Sequence, residues 1–164
     1  MARVLIVGCG GRGQALARAL RARGHAVRGT TRDPARLAAI EAAGAEGRLA
    51  DPDRIATLTG ALDGVTIVCW LLGSARGPAD RLEALHGPRL AMLLARTVDT
   101  PVRGVVYEAA GSVPAPLLAA GAAIVAERCA QARIPHALLA ADPGDRSGWV
   151  EAAVGCVERL LAAA

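Results

Sequence analysis

"VGCGGRGQALARAL", Val7 to Leu20, sets four glycines, Gly8, Gly10, Gly11 and Gly13, within six residues and then runs straight into a helical pattern. Gly8, Gly10 and Gly13 satisfy G-x-G-x-x-G between a β-branched run, Val4 to Val7, and an Ala/Leu/Arg segment. That setting gives the spacing its meaning, because each glycine answers a separate demand. Gly8 permits a tight turn, Gly10 lets a pyrophosphate approach the backbone, and Gly13 lets helix and strand pack closely. The first helical turn then offers free N–H groups to an anion. Gly11 and Arg12 belong to the same cradle; Arg12 can reach a phosphate, although an arginine at a helix start is often only solvated. A loop that merely packs well is the competing reading, so the residues that follow decide between the two.

After Gly13 comes a helix ending at Gly24, then "HAVRGTTRDPARLAAI", the layout of a second strand and its outgoing turn. A site preferring NAD places Asp or Glu at the end of this strand to bond the ribose 2′-hydroxyl. Here the strand ends Thr30, Thr31, Arg32. Arg32 is positioned for a charge-assisted contact with a 2′-phosphate, and Thr31 adds a hydroxyl, so NADP(H) is the favoured cofactor over NAD(H). Asp33 stands where an NAD-type acid can occur, but Pro34 follows it, and that pair reads as a helix N-cap.

The same alternation of short apolar runs and longer helical segments continues to the end of the chain, the pattern of a parallel sheet with crossover helices. Strands are predicted at 4–7, 26–30, 46–50, 65–72, 102–109 and 136–141. "VTIVCWLL" and "VRGVVYEAA" are continuous apolar runs, as expected where both faces of a sheet are covered. Asp33-Pro34, Asp51-Pro52 and Gly77-Pro78 mark helix starts, Pro88 interrupts the fourth helical region, and "VPAPLLAAG" reads as a loop entering a helix. From Ser147 onward, Val150, Val154, Val157 and Leu161 share one face of a closing amphipathic helix. The expected fold is therefore α/β: a doubly wound, six-stranded parallel sheet between two helical layers.

Its 164 residues, 53% of them hydrophobic, suit one domain spanning 1–164 with a substantial core. All 19 basic residues are Arg, and the net charge of +4 is spread along the chain. With no basic stripe and few aromatic platforms, nucleic-acid binding is not expected. Cys9, Cys69, Cys129 and Cys156 lack metal-ligand spacing and read as small apolar core residues in a reducing compartment. No metal site is expected. The opening lacks a signal-peptide layout and no run approaches the roughly 18 apolar residues of a membrane span, so a cytoplasmic protein without membrane contact is expected.

"RVLIVGCGGRGQALARALRARGHAVRGTTRDPARL" resembles the nucleotide-binding opening of the extended and atypical short-chain dehydrogenase/reductase-like proteins and of the β-hydroxyacid dehydrogenases. The later segments "LADPDRIATLTGALDGVTIVCWLLGSA", "RGVVYEAAGS" and "ARIPHALLAADPG" favour the first group, which includes epimerase/dehydratase-like members. The resemblance implies a Rossmann fold with strand order 3-2-1-4-5-6. It also implies that Gly73 and Ser74, after strand four, lie along the cofactor and that Pro143 and Gly144, after strand six, lie near its nicotinamide. Departures are as informative. The family's Tyr-x-x-x-Lys pair is absent, since Tyr107 is followed four places on by Gly111 and the chain contains no Lys. The atypical G-x-x-G-x-x-G pattern fails at Gln14, and the substrate lobe of the extended members has no counterpart after strand six.

Ligands of an open parallel sheet bind beyond the carboxyl ends of its strands. His25 and His136 begin strands and His86 lies late in its helix, so all three read as structural or solvated. Ser74, Glu108, Ser112, Asp142 and Asp145 fall at the right edge. Glu108 and Ser112 are the candidate catalytic groups: an acid ending an apolar strand must be paired or used, and Ser112 falls in the family's serine region. Three functions follow: an NADP(H)-dependent oxidoreductase-like domain with an unknown small-molecule substrate, an NADPH-binding sensor, or an S-adenosylmethionine-dependent methyltransferase suggested by "VGCG". Against the last, Ile6 stands where an acid is usual and strand two ends basic. An open cleft suggests a homodimer, with "RLAMLLARTV" as its candidate face, although burial against the sheet explains that segment equally well.

Overall fold

The computed structural model describes residues 1–163. Six parallel strands form one sheet: β1 (Arg3–Val7), β2 (Ala26–Thr31), β3 (Glu46–Leu49), β4 (Ile67–Trp70), β5 (Val105–Glu108) and β6 (His136–Leu139). Their order is β3-β2-β1-β4-β5-β6, the expected 3-2-1-4-5-6. The order reverses between β1 and β4, where Val4 faces Ile67 and Val7 faces Trp70. At such a switch point the outgoing loops part and leave a crevice.

Alternation along the strands assigns the two faces. Val4 and Ile6 of β1 join Val27, Ile67, Cys69 and Val106 beneath helices α1 (Gly11–Ala22), α2 (Leu37–Ala42) and α6 (Arg146–Ala162). Leu5 and Val7 join Val68, Trp70 and Tyr107 against α3 (Ala79–Leu85), α4 (Pro88–Thr97) and α5 (Ala115–Ala132). Burial on both faces follows from crossover helices on both sides, which is why β4 and β5 read as unbroken apolar runs. All four cysteines are buried and unpaired in this core.

Several local expectations change. The third crossover holds no α-helix after Asp51-Pro52 but two 3₁₀ turns, Ile55–Leu58 and Gly60–Leu62. Thr57 and Gly60 disfavour an α-helix there, and the Thr57 hydroxyl bonds instead to the carbonyls of Asp51 and Arg54. The strands predicted at 65–72 and 102–109 shorten at both ends, to Ile67–Trp70 and Val105–Glu108, although the Leu71 N–H still donates to the Val7 carbonyl at 3.0 Å. Pro88 does separate α3 from α4, and Pro78 itself caps α3. The "RLAMLLARTV" segment turns Leu90, Leu93, Leu94 and Thr97 into the core, which accounts for its apolar stripe.

Candidate functional site

At the carboxyl edge of β1 the chain leaves the sheet at Gly8, whose φ of +87° belongs to the left-handed region. A methyl group there would also fall 2.6 Å from the Leu71 carbonyl oxygen, so glycine is required twice over. Gly10 caps α1 without a side chain, and a Cβ on it would meet nothing within 4 Å. That open side faces the crevice. Gly13 sits where a Cβ would press on Gly8, Ile6 and Cys9, so its absence lets α1 approach β1. The three glycines therefore divide the work between turn, open approach and packing.

Two adjoining cavities fill the crevice. One, of about 320 Å³, runs over the ends of β1 and β2 and is lined by Gly10, Thr31, Arg32, Arg36, Ser74 and Arg81, among others. The second, of about 410 Å³, lies against the start of α1 and is lined by Gly10, Gly11, Arg12, Arg76, Arg146 and Trp149, among others. Arg12, Arg36, Arg76, Gly10 and Ser74 border both. Six guanidinium groups thus surround one crevice. Asp53 is shared by Arg32 at 3.7 Å and Arg81 at 2.7 Å, and Asp33 lies 4.0 Å from Arg36. The balance is positive, as a polyanionic ligand requires.

The end of β2 is built by a turn. Asp33 Oδ1 accepts from the Ala35 N–H at 2.9 Å, the N-cap expected from Asp33-Pro34. The Thr31 hydroxyl donates to the Asp33 carbonyl and accepts from the Asp33 N–H, so it is engaged in the same turn. Arg32, whose side chain is 55% exposed, projects into the cavity above it.

The loops after β4 and β5 differ most from expectation. Gly73 is buried and lines neither cavity, while Ser74 next to it lines both. The Gly73 N–H donates to Glu108 Oε1 at 2.8 Å, and Glu108 Oε2 accepts from Trp149 Nε1 at 2.8 Å. Arg12 approaches the same carboxylate at 3.7 Å and stacks over the Trp149 ring at 5.3 Å. Glu108 is 0% exposed. Burial raises its pKa, opposed by the Trp149 bond, the Arg12 charge and the Gly73 bond. Its carboxylate is engaged by these three groups within the fold and lines neither cavity. Ser112 is exposed and lines neither cavity; its backbone N–H donates to the Ser74 hydroxyl at 3.3 Å. Pro143 and Gly144 also line neither cavity, because the Gly144 N–H folds back onto Asp142 Oδ1 at 2.8 Å. From that segment Arg146 and Trp149 enter the crevice instead.

Tyr107 and His86 are buried on the opposite face. The Tyr107 hydroxyl is 2.6 Å from His86 Nδ1, and His86 Nε2 is 3.0 Å from the Leu72 carbonyl. The carbonyl accepts only, so Nε2 donates and Nδ1 accepts the tyrosine proton. Arg36, Arg76, Arg81, Arg146 and Trp149 were not legible as site residues. One signal was present for Arg146: a cation at the first position of a helix opposes the helix dipole and calls for an explanation.

A family model described as NAD(P)H-binding matches residues 8–141. The chain belongs to this NAD(P)H-binding family. Its glycine cradle, α1 N-terminus and ring of arginines fit such a dinucleotide, with the open face of Gly10 toward the space a pyrophosphate would take. Structural neighbours of this NAD(P)H-binding chain agree on the fold. The crystal structure of gox2253 superposes with a TM-score of 0.68 at 20% identity, over 84% of this chain and 50% of that one. Triphenylmethane reductase from Citrobacter sp. gives 0.64 at 19%, over 84% and 48%. Vestitone reductase from alfalfa (Medicago sativa L.) gives 0.64 at 18%, over 84% and 56%. The chain thus spans about half the length of these neighbours. No curated protein sequence matches it. No helix among the described residues is long and apolar enough to cross a membrane, and no group of three or more His, Cys, Asp or Glu side chains among them is arranged to hold a metal.

Proposed function

We propose that this NAD(P)H-binding chain holds NADP(H) in preference to NAD(H), as the cofactor half of an oxidoreductase-like protein acting on a small molecule. One observation carries the preference. At the end of β2 the cavity is met by Arg32, Arg36 and Arg81, while the Asp33 carboxylate is turned into a helix cap. A 2′-phosphate finds charge-assisted donors there, and an unphosphorylated ribose finds no carboxylate acceptor on Asp33. When bound, the nicotinamide supplies hydride transfer. The residues of this chain bind and orient it: Gly10, Gly11 and Arg12 at the pyrophosphate, Thr31 and Arg32 at the adenosine end, Ser74 along the dinucleotide. A triphenylmethane reductase solved with NADP(H) shares the fold, at 19% identity and a TM-score of 0.61, which is compatible with this reading.

Titration with NADPH and NADH tests it. NADPH should bind at least about tenfold more tightly, and Arg32→Ala should remove most of that difference. Equal affinities in the wild type would overturn the preference.

A second reading, an NADPH sensor without turnover, is favoured by the burial of Tyr107 and Glu108, which withdraws both from any reacting atom. NADPH oxidation with a panel of carbonyl and quinone acceptors separates the two: turnover excludes the sensor. The S-adenosylmethionine reading draws no support from the family match. Substrate contacts beyond the crevice fall to a further lobe or to a second copy in a homodimer, and light scattering reads the latter.

A further inference from the structure

We infer that Arg146 is a cofactor-clamping residue, closing over the dinucleotide's pyrophosphate from α6 and facing Arg12 across it; this rests on the nucleotide reading above. Arg146 is the first residue of α6, and neither α6 nor α1 carries an acidic residue in its first turn. Its guanidinium also reaches the start of α1. A methyl group on Gly11, the first residue of that helix, would lie 2.9 Å from Arg146 Nη2. A cation is therefore held beside two helix N-termini at once, each the positive end of a dipole. Arg12, at the second position of α1, adds another charge on the same cavity.

Among the described residues no carboxylate forms an ion pair with Arg146, and Arg12 has only Glu108, at 3.7 Å. Asp145 and Asp142 are on the same segment, but their Oδ1 atoms accept from the Gly148 and Gly144 N–H groups, and neither forms an ion pair with Arg146. Glu108 is shared by Gly73, Trp149 and Arg12. The Nε of Arg12 is buried without a hydrogen-bond partner. Arg12 and Arg146 both line the 410 Å³ cavity in front of α1, and two like charges on one wall favour an anion between them. The pyrophosphate is the anion that the α1 N-terminus is shaped to take, and Arg146 covers its outer side.

This role differs in kind from that of Arg32. A pyrophosphate contact serves NADPH and NADH alike, whereas a 2′-phosphate contact serves only NADPH. Arg146→Gln should weaken both nucleotides by a common factor of about tenfold and leave their ratio intact. Arg32→Ala should collapse the ratio. Relieving the misfit should also leave the Tm of the cofactor-free Arg146→Gln variant unchanged or higher, where a structural arginine would lower it. Unchanged affinities for both nucleotides, or a loss of affinity accompanied by a fall in Tm, would overturn the clamp. Inorganic pyrophosphate, titrated into wild type and variant, separates this failure from that of the cofactor reading. Binding lost in Arg146→Gln while neither dinucleotide binds the wild type would keep the anion site and reject the dinucleotide; no pyrophosphate binding alongside wild-type NADPH affinity in the variant would reject the clamp alone.

Discussion

Glu108 Oε1 accepts the backbone N–H of Gly73 at 2.8 Å, so the end of β5 holds the turn that follows β4. The same carboxylate anchors Trp149 on α6 and faces Arg12 on α1. Three segments that border the crevice are thus fastened to one buried group, and Ser74, the residue after Gly73, is set in the cavity wall as a result.

Replacing that group tests how far the crevice depends on it. A glutamine at 108 has one acceptor oxygen and an NH₂ that only donates, but the N–H groups of Gly73 and Trp149 each meet a different oxygen of the carboxylate, so one of them would face a donor. Glu108→Gln is expected to destabilise the fold by about 1–3 kcal/mol and to weaken NADPH binding by loosening the Ser74 turn. Urea unfolding and nucleotide titration read the two effects. Wild-type stability in the variant would mean that the Gly73 and Trp149 bonds contribute little.

The His86–Tyr107 pair predicts a dependence on pH. Burial lowers the His86 pKa below its usual value, opposed in part by the bond to the Leu72 carbonyl. The unfolded chain therefore takes up a proton near pH 6.5 while the folded chain does not. Stability from this group is complete above that pH and declines as pH falls through 6.5 toward the folded value. His86→Leu should be less stable at pH 8 and should lose this share of the slope. The check is the difference between the urea midpoints of wild type and variant from pH 8 to 5; parallel profiles would refute it.

Thiol chemistry should be silent in the native state. Burial pushes Cys9 up to about 12 and Cys129 up to about 11, and it raises Cys69 and Cys156 as well. With the thiolate as the reactive species, an aromatic disulfide reagent at pH 8 should label none of the four before unfolding and all four after it. Rapid labelling of Cys9, which lies inside the glycine loop, would show that the loop opens in solution.

The part of the site readable beforehand is the part made by neighbours in sequence. Gly8, Gly10 and Gly13 act through their own backbone, Asp33 caps the turn that immediately follows it, and Arg32 follows directly on β2. The third crossover failed for an equally local reason, because the Asp-Pro start signal was outweighed by Thr57 and Gly60 downstream. An acid ending an apolar strand calls for a partner, but the partners of Glu108 lie on the β4 turn and on α6. No periodicity reveals such a meeting.

Strand and helix alternation, the glycine cradle and the arginine just after β2 were determined by the sequence alone, since each depends on short-range sterics and hydrogen bonding. Only the tertiary structure decided that Glu108 is an anchor beneath the crevice, that Pro143 and Gly144 turn away, and that Arg146 lies over Gly11 from the far end of the chain. The reason is the order of the sheet. Placing β4, β5 and β6 beyond β1 packs α6 beside α1, and that packing brings a carboxylate, an indole and two guanidinium groups to one point.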